Sequence, residues 1–379
     1  MDKQHALLSA SGAKRWLMCP PSARLEERFE DTTSSYAEEG TRAHALAEAR
    51  IRYDLLKTIN KKEFDTIWKD MAPDTEMEEM SELYEDLITE KYSAALAKTK
   101  DAMLLIEERL DFSHIVPEGF GTGDAIIIAD GTMEVIDLKY GKGVHVYAED
   151  NPQIRLYGLG ALQKYGYLYD IKEVALTIVQ PRLDNVSTEL LAAETLEEWG
   201  EQYVRPRALL ADKGEGDYCT GDHCQFCKGK AICRARAEEA LSLAKHEFAT
   251  PPILDDDEIP EILMLLDKAE AWIKDIKDYA YQKALAGTKW PGFKLVEGRS
   301  NRCYMDEELV ADKLMANGYE DNQIYEKKLK GITAMEKLLT KKSFTELLDD
   351  LVIKPPGKPT LVPESDKREE FNSATRDFM

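Results

Sequence analysis

The sequence predicts an α/β protein with a mixed central sheet, a helical insertion ahead of it and a mostly helical C-terminal extension. Three observations predict it. Between residues 102 and 140, three apolar runs of strand length follow one another, the last two joined by Asp130-Gly131. A helical pattern at 152–166 separates them from a fourth strand at 172–181, and helix–three strands–helix–strand is the order of an α/β unit. Beyond residue 250 the apolar spacing is helical.

Composition narrows the class further. With 379 residues, 43% of them hydrophobic, the chain can bury a substantial core as one large or two smaller domains. No segment approaches the roughly 18 apolar residues of a membrane span. The opening MDKQHALLSASGAKRW lacks the apolar centre of a secretory signal. Six cysteines are few for a disulfide scaffold of this length, which favours a reducing cytoplasm. A net charge of −22 excludes a global positive field that would draw in nucleic acid or anionic lipid. It leaves room for a local basic groove on DNA, and its ordinary consequence is solubility.

In chain order, residues 34–56 read as a helix, with Ser35 and Glu38 spaced as a capping box. The Asp-, Glu-, Lys- and Met-rich stretch of about 55–100 reads as a helical insertion with a solvated acidic face. Strands follow at 102–112, 124–129 and 133–140, then a helix with Ile154, Tyr157, Leu159 and Leu162 as its apolar positions. Pro181 stops the strand at 172–181, and a helix at 194–212 leads into a cysteine cluster at 219–233. A soft boundary near 250 divides a core, 1–249, from an accessory region, 250–379. The latter carries helical runs at 258–287, 305–317 and 343–352 and an extended Pro-rich stretch at 354–367. There is no internal repeat.

The hairpin carries the chemistry. A two-residue Asp130-Gly131 turn pairs Ala129 with Thr132 and sets Asp124 opposite Asp137. Opposed residues have Cβ atoms about 4.5–5.5 Å apart. Strict alternation puts Asp124, Ile126 and Ile128 on one face with Met133, Val135, Asp137 and Lys139. Like charges so placed repel, so a cation belongs between them. Lys139 can supply part of that charge; Mg²⁺ or Mn²⁺ suits hard oxygen ligands better and can activate water toward a phosphodiester. The ordinary alternative is an Asp–Lys ion pair at a sheet edge. The nearby GFGTGD precedes a strand instead of opening a helix, which discounts it as a phosphate loop.

Gly121-Thr122-Gly123-Asp124, Ile136-Asp137-Leu138-Lys139, and Gln153 with Tyr157 resemble successive motifs of RecB-type nucleases in the PD-(D/E)XK superfamily. Those motifs are G-x-x-D, [DE]-x-K and Q-x-x-x-Y. Upstream, Gly40-Thr41-Arg42-Ala43-His44 is similar to the helix-borne histidine of that branch. The resemblance spans roughly residues 10–240, and its specificity lies in four motifs in the right order. It implies a restriction-endonuclease-like core with His44, Asp124 and Asp137 as metal ligands and the Leu138 carbonyl as a further one. It also implies a catalytic Lys139, with Gln153 and Tyr157 positioning DNA or the site. The whole chain also resembles a phage- and prophage-associated family with this core. Taken singly, His44 shares a helical face with Ala47 and Ile51 as a packed histidine would, and Gln153 and Tyr157 suit a plain helix-surface pair.

Cys219, Cys224, Cys227 and Cys233 read C-x₄-C-x₂-C-x₅-C, with Cys19 far upstream and Cys303 alone as a buried thiol. Such clustering points to a metal. Local spacing permits zinc on Cys219, Cys224, Cys227 and Cys233, with His223 able to substitute. The resemblance points elsewhere: iron–sulfur RecB-type members, AddB-like and CRISPR-adaptation nucleases, place one cysteine before the core and end C-x₂-C-x₅-C. That implies a [4Fe–4S] cluster on Cys19, Cys224, Cys227 and Cys233, a structural staple that leaves Cys219 spare, although C-x₄-C-x₂-C also matches a [2Fe–2S]-like start and keeps the cluster type open. Lys228, Lys230, Arg234 and Arg236 form a basic island there, read either as a solvated helix start or as a phosphate track toward Asp124 and Asp137.

The expectation is a Mg²⁺- or Mn²⁺-dependent deoxyribonuclease, of exonuclease type, processing DNA ends in phage or mobile-element recombination or replication. Its expected partners are DNA and phage recombination or single-strand-binding proteins, with no membrane. The alternatives are a catalytically inactive DNA-binding or assembly module with the same fold and cluster, and a zinc-binding interaction protein.

Overall fold

The computed structural model of the chain describes residues 6–30, 35–242, 259–296, 306–325, 329–339, 341–348 and 351–352. Cys303, the stretch at 354–367 and the boundary expected at 249/250 lie outside them. Two compact units emerge, Met1–Tyr281 and Gln282–Met379.

In the first unit, short helices α1 (Ala13–Met18) and α2 (Ser22–Glu26) precede α3 (Ser35–Arg50), which ends in a π turn at Ile51–Leu55. The insertion is two helices. α4 (Lys61–Met71) opens on a capping box in which Asn60 and Glu63 satisfy each other's backbone amides. α5 (Thr75–Lys98) opens on Asp74, whose side chain accepts from Met77 N–H. Then come β1 (Met103–Asp111), β2 (Phe120–Ala129), β3 (Thr132–Leu138), α6 (Pro152–Tyr165), β4 (Glu173–Gln180) and β5 (Asn185–Ala192). α7 (Ala193–Trp199) and α8 (Arg205–Lys213) are joined by a π turn, so the helix expected at 194–212 is one interrupted rod. α9 (Arg234–Leu241) and α10 (Ile259–Leu285) follow. The described helices of the second unit are α11 (Glu307–Ala316), α12 (Asp321–Ile324), α13 (Ile332–Leu339) and α14 (Lys341–Leu348).

The five strands form one mixed sheet in chain order. β3 and β4 are parallel, linked across the sheet by α6, and every other neighbouring pair is antiparallel. The α/β class with a mixed sheet and a helical insertion is therefore as expected. β5 is an addition, since the sequence signal ended at Pro181.

Each sheet face has its own core. Ile126, Ile128, Met133 and Val135 join Ile154 and Leu159 of α6 and Leu196 of α7 on one side. Ala125, Ile127, Ile136 and Leu138 join Ala47 of α3 and Tyr84 and Ile88 of α5 on the other. Burying each large aliphatic side chain contributes about 1.5–3 kcal/mol. A one-residue slip of β3 would exchange its two faces, so this double burial fixes the register.

Candidate functional site

The hairpin pairs as expected, with Ala129 against Thr132 and Ala125 against Ile136. At the next row the ladder departs from regularity. β1 pairs Ile106 with Ala125 and Glu108 with Gly123, so Glu107 stands across from Asp124. On the other side the paired rows end at Ala125 and Ile136, one residue short of Asp124 and Asp137. Three acids therefore lie at neighbouring positions on three adjacent strands.

Glu107 has φ +51°, and the alternation of faces breaks there. Leu105 packs on the α6 side before the kink, and Leu110 does so after it, although their numbers differ in parity. β2 makes the matching switch. Ile126 and Ile128 face α6, yet Gly121 lies under Tyr157 of α6 and Gly123 beside Leu110. Strict alternation thus fails at Asp124, whose carboxylate serves the α3 side. Its Oδ2 accepts from Leu138 N–H at 2.6 Å, and its Oδ1 lies 3.2 Å from His44 Nδ1.

Asp137, 3% exposed, turns the other way. Lys139 Nζ lies 2.8 Å from Asp137 Oδ2 and donates to Gln153 Oε1 at 3.1 Å. Gln153 Nε2 donates to Tyr157 Oη at 3.3 Å and to Asp137 Oδ1 at 3.5 Å. Asn151 caps α6 by accepting from Gln153 N–H, which fixes Gln153 in the first turn with Tyr157 one turn on. Lys139 itself is just past β3, where its N–H reaches Val179 O at 2.8 Å.

The ionisations follow from this crowding. Burial opposes charge on His44, but Asp124 and then Asp137 outweigh it and push the imidazole up to about 9. Burial, then Asp124 and Glu48, push Glu107 up to about 7. Burial also raises Asp137; Lys139 opposes this and Asp124 reinforces it. Burial lowers Lys139, and Asp137 more than restores it.

The expected site residues thus meet, in two groups instead of one. His44, Glu107 and Asp124 have one ligand atom each within 4.8 Å of one another, and no other group of three is found among the described residues. Asp137 stands outside that group, with Lys139 and Gln153. Leu138 offers Asp124 its amide. Sequence reasoning missed Glu107. Its trace is the Glu107-Glu108 pair inside an apolar run, but only the β1–β2 register aligns it with Asp124.

A second locus joins two segments about 200 residues apart. His223 hydrogen-bonds through Nε2 with Cys219 O at 2.9 Å, and the Cys19 side chain beside it pushes its imidazole up. Glu26 of α2 accepts from Lys228 N–H at 3.0 Å, and Gly229 closes on Leu25. All five described cysteines are free thiols; Cys19 and Cys227 are buried and Cys219 is exposed. Burial, then Glu26, pushes the Cys227 thiol up to about 12. The basic island is partly committed. Lys230 and Arg236 both pair with Asp275 of α10, at 3.0 and 2.7 Å. Lys228 is exposed, and Arg234 lies exposed at the start of α9.

Fold and site together define an α/β protein with a row of acids, a histidine and a paired lysine at the strand ends of a mixed sheet. Residues 5–369 match the family described as "Protein of unknown function (DUF2800)", and the chain belongs to that family. Among solved structures, it is similar at 14% identity to a protein from Eubacterium rectale named as a candidate exonuclease. That match covers 60% of this chain and 88% of the other, with a TM-score of 0.33. It is also similar at 14% identity to the protein SSO0001, covering 57% of this chain and 95% of the other, with a TM-score of 0.20. Among the described residues no helix is long and apolar enough to cross a membrane.

Proposed function

We propose that the chain is a metal-dependent deoxyribonuclease of the RecB type, with a PD-(D/E)XK core, acting on DNA ends in phage or mobile-element recombination. One observation carries the reading. Residues from four separated segments, His44, Asp124, the Asp137–Lys139 pair and Gln153 with Tyr157, are linked by direct polar contacts at one end of the sheet.

The donors fit a divalent cation. Carboxylates crowded and partly buried at the strand ends need positive charge beside them. His44 and Asp124 are the residues proposed to hold it, with the Leu138 carbonyl as a further donor, while Asp137, turned to the α6 side, holds Lys139. When bound, it would supply charge on a phosphate oxygen and a more acidic water. Lys139, oriented by Asp137 and Gln153, presents its ammonium to charge that develops on the phosphate as the phosphorus–oxygen ester bond breaks. Tyr157, packed against Gly121, keeps Gln153 in place through its hydroxyl.

The cysteine locus is the proposed site of a [4Fe–4S] cluster on Cys19, Cys224, Cys227 and Cys233; free thiols and the nearness of Cys19 to His223 support that reading. Its contribution there is a cross-link between the N-terminal segment and the end of the core.

End-labelled linear DNA incubated with the purified, cluster-loaded protein and Mn²⁺ tests the reading. Cleavage should need the metal, and Lys139→Ala should slow it by about a hundredfold or more while leaving the protein folded. If single-stranded, double-stranded and nicked substrates all stay intact, the protein is not a nuclease.

A further inference from the structure

We propose that Glu107, a residue outside every motif of the sequence, is a principal ligand of a divalent cation held with His44 and Asp124, at a position distinct from Asp137. This deepens the nuclease reading and rests on it.

The geometry is specific. His44, Glu107 and Asp124 bring one nitrogen and two carboxylate oxygens within 4.8 Å of one another. The same three side chains, with Tyr84 and Leu138, line a cavity of about 10 Å³ that Asp137 does not line. That volume is about one water-sized sphere, enough for a single ion. An independent feature points into it. Tyr84 is 2% exposed, and its hydroxyl has no hydrogen-bond partner although it lines this cavity. A buried orphan hydroxyl is unfavourable unless something at the site, an ion or the water on it, completes it.

The backbone bears this out. Glu107 adopts φ +51°, a conformation that a glutamate rarely takes inside a strand. The kink lets the β1–β2 register run on while Glu107 and Asp124 leave the α6 face for α3. Two carboxylates with one imidazole suit a hard to borderline ion, and Mn²⁺ accepts both donor types. Asp137, meanwhile, is paired with Lys139.

The test is Mn²⁺ titration of the full chain, freed of divalent ions on a chelating resin, with unbound Mn²⁺ read by electron paramagnetic resonance. The wild type should bind one Mn²⁺ per chain. Glu107→Gln should weaken binding by at least about tenfold, the loss that even outer partners of metal ligands cause, and Asp137→Asn should weaken it less. Glu107→Gly, which removes the carboxylate and suits the positive φ, guards against misfolding and should bind as poorly as Glu107→Gln. If Asp137→Asn abolishes binding while both Glu107 variants retain it, the assignment is wrong and the nuclease reading survives. If the wild type binds no Mn²⁺, the metal-dependent reading falls with it.

Discussion

Gly121 has no side chain, and Tyr157 occupies the space one would fill. A Cβ there would sit 2.5 Å from Tyr157 Cε1, inside any tolerable contact. Gly121→Ala should therefore push the ring aside, destabilise the fold by about 1–3 kcal/mol through overpacking and disturb the hydroxyl that holds Gln153. Tyr157→Leu should relieve that strain, so urea midpoints of the two single variants and the double variant should show strong non-additivity. Additive losses would mean that the two residues do not compete for space. The same scale shows what the sequence could disclose about the site. His44, Asp124, Asp137, Lys139, Gln153 and Tyr157 were legible because each sits at a fixed offset on its own element. The division between Asp124 and Asp137 was not, because alternation assumes an unbroken pleat and Glu107 breaks it at φ +51°. Glu107 was hidden for a related reason, since its position opposite Asp124 depends on how a long connection, residues 112–119, returns the chain.

At the scale of elements, β1 to β4 were legible from their apolar runs, and β5 was not. Its half-buried positions Asn185, Ser187 and Glu189 hold the backbone of a loop, not a hydrophobic layer. Asn185 donates to Val146 O at 2.9 Å, Ser187 accepts from Ala148 N–H at 2.8 Å and Glu189 from Asp150 N–H at 3.1 Å. A strand whose inner face is polar offers no apolar period to read. That loop runs from Lys139 to Gln153, so β5 supports the site by anchoring the segment between two of its residues. Glu189 also grips Arg155 of α6 through both of its oxygens, and Arg155 stacks over Trp199 of α7. Burial opposes charge on Glu189, but Arg155 and then Asp150 N–H hold its carboxyl below the usual range. A depressed folded value means stability that is present above the ordinary glutamate range and disappears as the pH falls through the folded value. Glu189→Gln should thus cost about 2 kcal/mol at pH 7, and the two proteins should converge in guanidinium midpoint as the pH drops below about 4. A gap that stays constant down to pH 2 would assign the loss to packing instead of charge.

At the scale of the first unit, its N-terminal helices meet the segment that follows α8. α1 and α2 bury Trp16, Leu17 and Ala23 in the core on the α6 side, yet nothing in their periodicity announced that packing. The cysteine spacing, by the resemblance it carries, groups Cys19 with Cys224, Cys227 and Cys233 across 200 residues, and the Cys19 side chain lies near His223. Glu26 accepts from Lys228 N–H, Leu25 lies under Gly229, and Arg24 pairs with Asp212 of α8 at 3.0 Å. A covalent centre would add a cross-link to that packing and raise the cost of opening the N-terminal segment locally. Cys227 makes the same point chemically, because a thiol pushed up to about 12 by burial becomes a thiolate at neutral pH only when a metal takes its charge. Cys19→Ala should therefore give colourless protein with less iron and sulfide and a melting temperature lower by several degrees, a loss of about 1–2 kcal/mol being worth that much in a protein of this size. Cys219→Ala should stay brown and melt as the wild type does, because Cys219 is exposed and its sulfur reaches only Thr220 O, at 3.6 Å. If Cys219→Ala bleaches and Cys19→Ala does not, the four ligands are local and the two segments are joined by packing alone. Colourless wild type with stoichiometric zinc would replace the cluster with a mononuclear site.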